Sequence, residues 1–231
     1  MKIRITSLLQ GAQKAQGTTI IIDVFRAFTT AAVAFDRGAA KIILVAEVEE
    51  ALDLRRQNLG DLCIGEVDGI KPAGFDFGNS PYELSQADLT GQTLIQSTRA
   101  GTVGVTAATA ADVLYLGSFV TASATVRTIL QSNPPLVTIV AMGVATTRRS
   151  DEDEQCALFL RNLLQGRHPN PEAVQHLVLA GQEAQKYDDP AQPQFHPQDR
   201  ELALHIDRYP FALQVIRENG LLIARVAKEA L

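Results

Sequence analysis

Four oxygen-bearing side chains, Glu66, Asp68, Asp76 and Asn79, fall within residues 65–81, GEVDGIKPAGFDFGNSP. The run is too rich in Gly and Pro for a helix and lacks the alternation of a half-buried strand. Ile70, Phe75 and Phe77 seek burial, so it is not an idle linker either. A loop that anchors its aromatics and carries several carboxylates holds hard oxygen donors in a fixed frame, which suits a cation such as magnesium. The alternative is a turn-rich connection whose Asp and Asn side chains satisfy their own backbone.

A second set of chemistry-bearing residues comes from two matching segments, IIIDVFRAFT (20–29) and TLIQSTRAGT (93–102). Each reads as a strand, a short loop, and Arg-Ala-x-Thr opening an Ala-rich helix. An arginine at a helix start runs against the dipole preference. Arg26 and Arg99 in matching places suggest a bound anion held by guanidinium groups; the alternative is that each pairs with a nearby acid. Residues 148–154, RRSDEDE, add Arg148, Arg149, Asp151 and Asp153. Carboxylates beside arginines suit metal-assisted phosphoryl transfer, in which a cation and guanidinium groups spread the charge that develops on phosphate oxygens.

The elements that must position these groups alternate strand with helix. Apolar runs at 18–22, 41–45, 62–64, 93–96, 113–116 and 137–141 read as strands. Helices are expected at 31–37, 47–58, 85–89, 103–110, 121–131, 151–164, 171–187 and 201–207, and the Pro- and Gln-rich stretch 188–197 as a surface loop. Val215–Glu218, Asn219-Gly220 and Leu221–Val226 spell a hairpin. The class is α/β: a largely parallel sheet with helices on both faces, built from βαβ units, with a C-terminal hairpin. The loops 23–30, 65–81, 96–102 and 142–153 would then gather at strand ends, where ligands bind in such sheets. One domain over 1–231 is expected, or two lobes dividing near 130–140.

The chain has 231 residues, 46% of them hydrophobic, enough for a sizeable core. A net charge of -5 argues against a nucleic-acid surface. No apolar run approaches the ~20 residues of a membrane span, so no membrane is expected. The first ten residues read as a strand rather than a signal peptide. Cys63 and Cys156 are isolated and fit a reducing cytoplasm; both are expected in the core. The run IIID at 20–23 has Phe25 where an aspartyl-phosphate enzyme would carry a second Asp, which disfavours a covalent Asp23 intermediate.

Taken together, IDVFRAFTT, GEVDGIKPAGFDFGNSP, QSTRAGT, LGSFVTASA, SDEDEQCA and DRYPFALQV, in that order, resemble the 2-phosphosulfolactate phosphatase (ComB-like) family over nearly the whole chain. The resemblance implies Mg²⁺-dependent hydrolysis of the monoester 2-phosphosulfolactate to 3-sulfolactate and phosphate, a step toward coenzyme M in methanogens. It implies catalytic roles for Asp23, Arg26, Ser97, Arg99 and Thr102, and substrate contacts from Arg26, Lys71, Asn79, Ser80 and Arg99. It implies metal ligands among Glu66, Asp76, Asp151 and Asp153. The partner is a small anionic phosphoester, and a homo-oligomer is left open. Phe25 and Phe28 stand where many relatives have Leu and a smaller residue, and STRAGT replaces the Thr-Asn-Gly-Thr type of run of the methanogen branch. Phosphatase action on another small acidic phosphoester, or non-catalytic anion binding on the same fold, are the alternatives.

Overall fold

The computed structural model describes residues 1–228. Nine strands among these residues form one sheet: β1 (Lys2–Ser7), β2 (Gly17–Ile22), β3 (Lys41–Val45), β4 (Leu62–Gly65), β5 (Thr93–Ser97), β6 (Ala111–Gly117), β7 (Leu136–Ala141), β8 (Leu213–Glu218) and β9 (Leu221–Val226). The helices are α1 (Leu8–Gln13), α2 (Ala27–Asp36), α3 (Val48–Arg56), α4 (Pro81–Ser85), α5 (Gly101–Ala107), α6 (Ala122–Ser132), α7 (Asp151–Leu164), α8 (Pro171–Leu179), α9 (Gln182–Gln185) and α10 (Pro197–Ala203). The fold is α/β, largely parallel, with the C-terminal hairpin in place.

The strand order is β1-β7-β2-β6-β8-β9-β3-β5-β4. Pairing is parallel within β1-β7-β2-β6 and within β3-β5-β4. The three pairings that join these blocks, β6–β8, β8–β9 and β9–β3, are antiparallel. Three reversals make the second block run opposite to the first. Helices α2 and α5 each leave one block and deliver the chain to the other, in opposite senses: β2 to β3, and β5 to β6. The match between residues 20–29 and 93–102 thus has a spatial counterpart.

One core cluster holds apolar side chains of both blocks around α2 and α5, among them Ile21, Leu116, Ile42 and Leu94. Every residue from Ala27 to Ala34 is buried, as expected of a helix that is small and apolar all round. Phe28 is 1% exposed, a burial worth about 1.5–3 kcal/mol. The starts of the two helices touch. A Cβ on Gly101 would come within 2.8 Å of the Ala27 Cβ and within 2.8 Å of Asp23 Oδ2. Residue 101 therefore has no room for a side chain. The outer face of the first block packs on α6 and α7, and that of the second on α3.

The sequence places most elements within a few residues of their observed ends. The helix expected over 171–187 is instead broken at Gly181 into α8, α9 and a 3-10 turn, Lys186–Asp188. Gly181 sits against Asp151, where a Cβ would meet the carboxylate at 2.6 Å. The helix expected over 201–207 begins earlier, at Pro197, behind the His196 cap. Asn219 and Gly220 both take positive φ, 52° and 81°, as a type I′ hairpin turn requires.

Residues 65–81 are stitched to the sheet by Asp76, whose Oδ2 accepts from Cys63 N at 2.8 Å and from Arg55 Nη1 at 2.6 Å. Phe75 is buried against the second block, in the same cluster as Cys63. Asp76 is thus a structural tie for this loop. Asp76→Ala leaves the Cys63 N–H without its acceptor and is expected to lower unfolding stability by about 1–3 kcal/mol. Urea unfolding measures the loss, and a stability within 0.5 kcal/mol of wild type would remove this role.

Candidate active site

The loops that follow β2, β4, β5 and β7 meet around a cavity of about 270 Å³. This volume suits a compact ligand rather than a large cofactor. Asp23 directly follows β2, Glu66 follows β4, and Arg99 lies just beyond β5; all three line the cavity. Glu152 and Asp153 reach it from the first turn of α7.

Two of these carboxylates tie neighbouring loops together, and a third fixes its own. Asp153 accepts from Val24 N and from Gly143 N, one on each oxygen, both at 2.8 Å. Glu66 accepts from Gly69 N at 2.7 Å and from Arg99 N at 2.8 Å, again one per oxygen. Asp23 Oδ1 accepts from Ala27 N at 3.0 Å, while Oδ2 faces Gly101. Burial disfavours the charged forms of Asp23, Glu152 and Asp153. It pushes Asp23 up to about 6, with the neighbouring Glu66 adding to the rise against the Ala27 N–H. It pushes Glu152 up to about 7. Asp153 rises well above the usual carboxylate range, first through burial and then through the charges of Glu152 and Asp23.

The cations of the cavity are Arg26, Arg99 and Lys186. Arg26 is 3% exposed and pairs with the fully buried Asp199 at 2.8 Å. Its Nη1 also donates to Gln194 O at 2.8 Å, and Phe195 lies over its guanidinium, 5.0 Å from the ring centre. Lys186 pairs with Glu183, which also takes Arg148 at 2.6 Å. Arg99 is exposed, and its side chain makes no ion pair or hydrogen bond among the described residues. The two matching arginines therefore part ways: Arg26 is tied to an acid, and Arg99 is free to meet an anion.

Six carboxylates line the cavity against three cations: Asp23, Glu66, Asp68, Glu152, Asp153 and Glu183. Among the described residues, no three His, Cys, Asp or Glu side chains converge closely enough to hold a metal as they stand. The donor chemistry nevertheless fits magnesium, which takes one or two carboxylates and completes its shell with water and substrate oxygens. Each oxygen of Asp153 and Glu66 accepts one N–H and keeps a further lone pair. The buried Asn79 Oδ1, on the cavity wall, has no hydrogen-bond partner.

Of the residues singled out from sequence, the cavity gathers Asp23, Arg26, Glu66, Asn79, Arg99 and Asp153. Six others lie elsewhere. Asp76 is taken by Arg55 and Cys63, as described above, and does not line the cavity. Asp151, one residue before the inward pair of α7, is exposed, lies against Gly181 and does not line it either. Ser97 is buried and donates to Ala46 O at 3.3 Å. Thr102 is buried and exchanges hydrogen bonds with Thr98, its hydroxyl accepting from Thr98 N at 2.8 Å. Neither reaches the cavity: Ser97 ties the end of β5 to the residue after β3, and Thr102 closes the turn that opens α5. Ser80 donates to Asp199 at 2.6 Å and, with Lys71, lines an adjoining cavity that shares Arg26 and Asn79 with the first.

Glu152, Lys186, Gln194, Phe195 and Asp199 carry no sequence signal at this level. Phe195, an aromatic inside a Pro- and Gln-rich stretch, is the one clue that residues 188–197 bury something. Phe195 packs on Tyr187, which packs on Phe25. A Cβ on Gly69, where φ is +81°, would lie 2.7 Å from the Phe195 ring. The stretch is a strap across the cavity, touching the loop after β4.

Comparison with known proteins agrees with this picture. The family model described as 2-phosphosulpholactate phosphatase matches residues 4–199. A probable 2-phosphosulfolactate phosphatase of Bacillus subtilis is 32% identical over 184 residues, 78% of either chain. One of Thermoplasma acidophilum is 34% identical over 118 residues, 51% of this chain and 53% of the relative. One of Carboxydothermus hydrogenoformans is 38% identical over 138 residues, 59% of this chain and 57% of the relative. No helix among the described residues is long and apolar enough to cross a membrane. With its strand-end carboxylates and an unpaired arginine at one cavity, the chain belongs to the 2-phosphosulfolactate phosphatase family of phosphoric monoester hydrolases.

Proposed function

We propose that this chain hydrolyses 2-phosphosulfolactate to 3-sulfolactate and phosphate and needs Mg²⁺ to do so. The observation that carries the reading is the excess of buried carboxylate in a cavity that also presents an unpaired arginine, in a chain of this family. A substrate with phosphate, sulfonate and carboxylate groups bears roughly four negative charges. It would not enter a cavity of six carboxylates unless much of their charge were neutralised.

Glu66 and Asp153, with Glu152 beside them, would hold the metal. Bound there, magnesium supplies positive charge against the phosphoryl oxygens. Arg99, exposed and unpaired, meets the incoming anion, and Lys186 and Arg26 complete the positive side of the wall. Asp23, pushed up to about 6, exchanges a proton near neutral pH, as a general acid–base group must. The strap at 188–197 limits access of water to the cavity.

Release of phosphate from 2-phosphosulfolactate with Mg²⁺, and its loss with a chelator, tests the reading. Equal rates on phospholactate and phosphoglycolate would remove the sulfonate-specific part; no release from any of the three would remove phosphatase action altogether. Arg99→Ala is expected to lower kcat/KM by about 10²-fold, the scale of a lost charge-assisted contact to phosphate. Unchanged inhibition by inorganic phosphate would count against this contact.

A carboxyl whose pKa is higher in the folded than in the unfolded state binds more protons when folded. Its contribution is therefore fully present at low pH and is lost as pH rises through the folded value. For Asp23 the window runs from its ordinary 3.8 to about 6, and for Glu152 from 4.5 to about 7. Asp23→Asn should thus gain stability relative to wild type between pH 4 and pH 7. Mg²⁺ should raise the Tm of wild type at pH 8 and do little at pH 5, where protons compete for the same oxygens. Thermal melts at the two pH values check both statements, and a Mg²⁺ effect independent of pH would contradict them.

A further inference from the structure

Asp199 stands two residues beyond the strap, far along the chain from the strand-end loops of the cavity, and is fully buried, with both its oxygens spoken for. Oδ1 accepts from Ser80 Oγ at 2.6 Å and from Tyr82 N at 2.9 Å, which fixes the carboxylate to the start of α4. Oδ2 takes Arg26 Nη1 at 2.8 Å. The other Nη1 hydrogen goes to Gln194 O at 2.8 Å, and Nη2 reaches Gly69 O at 3.5 Å. This leaves the Nε–H and one Nη2–H of Arg26 without a protein acceptor among the described residues. Arg26 lines both cavities, so those two hydrogens belong to a guanidinium locked in one orientation at the wall.

We propose that Asp199 is a positioning residue for anion recognition: it holds the Arg26 guanidinium so that its remaining N–H groups serve the ligand. The division of labour between its two oxygens carries the inference. A carboxylate needed only to neutralise Arg26 would not also be clamped by Ser80 and Tyr82. An arginine side chain has several rotatable bonds, and fixing it in advance removes an entropy cost from each binding event. The proposal rests on reading the main cavity as a phosphoester site.

The test uses the full chain with Mg²⁺ and inorganic phosphate, binding being measured by calorimetry in wild type, Asp199→Asn, Arg26→Met and the double variant. Asparagine keeps an oxygen for Ser80 and Tyr82 but turns an NH₂ toward Arg26, so it breaks the pair and spares the anchor. Asp199→Asn is expected to weaken phosphate binding about tenfold, as is Arg26→Met, and the double variant no more than either. In turnover of 2-phosphosulfolactate, Asp199→Asn should raise KM and leave kcat within about threefold. Losses that multiply in the double variant, or wild-type affinity in a folded Asp199→Asn, overturn the proposal. If Asp199→Asn does not fold, Ser80→Ala decides: about threefold weaker binding supports the proposal and an unchanged affinity overturns it. Phosphate binding with the expected pattern but no turnover would sink the hydrolase reading alone. No phosphate binding by wild type would sink both.

Discussion

Asp23, Glu152 and Asp153 place three carboxyl groups in a region from which water is largely excluded, and among the described residues none of them has an ion-pair partner. Such an arrangement is costly by itself. It persists because Asp23 and Asp153, together with Glu66, hold the loops in place. Asp153 joins the loop after β2 to that after β7, Glu66 joins the loop after β4 to that after β5, and Asp23 fixes the start of α2. Each accepts backbone N–H groups that would otherwise be orphaned. The ligand-facing groups and the groups that build the cavity are therefore one set. Removing the accepting oxygen of any of them would loosen the frame.

The positive side is built on the opposite plan. Arg26 is immobilised by Asp199, Gln194 and Phe195, whereas Arg99 is exposed and uncommitted. In the proposed function, the fixed guanidinium deep in the wall orients the anion and the exposed, unpaired one captures it. The strap that supplies Gln194 and Phe195 belongs to the C-terminal third of the chain. Ser80, which anchors Asp199, lies 119 positions before it. The polar wall is thus assembled from pieces distant in sequence, as the apolar core around α2 and α5 is.

What could be read from the sequence follows from this construction. Asp23, Glu66 and Arg99 stand immediately after β-branched apolar runs, and in an open α/β sheet that position faces the ligand side. Their placement at strand ends was legible for that reason; that ends of two oppositely directed blocks meet depends on α2 and α5, whose starts touch. Asp76 and Asp151 sit in the same acidic runs but do not line the cavity. A change of one or two residues in a loop or on the first turn of a helix turns a carboxylate away, and no periodicity reports it. Asp151 is exposed while Glu152 and Asp153 are buried, a difference set by about 100° of rotation per residue. Arg26 looked like a partner of Arg99 because the local strings match. Its acid partner lies 173 positions away, beyond the reach of pattern. Asp199, Phe195 and Gln194 come from a stretch whose Pro and Gln content gives no period at all.

The hairpin of β8 and β9 is the only hydrogen-bonded link between the two oppositely directed blocks among the described residues, β8 pairing with β6 and β9 with β3. During synthesis these two strands emerge after the other seven. Until residues 213–226 leave the ribosome, β6 and β3 both lack the partners that join the two half-sheets. Exposed edges of this kind invite pairing with other chains. The Asn219-Gly220 turn, which brings β8 and β9 together, is therefore also what closes both edges.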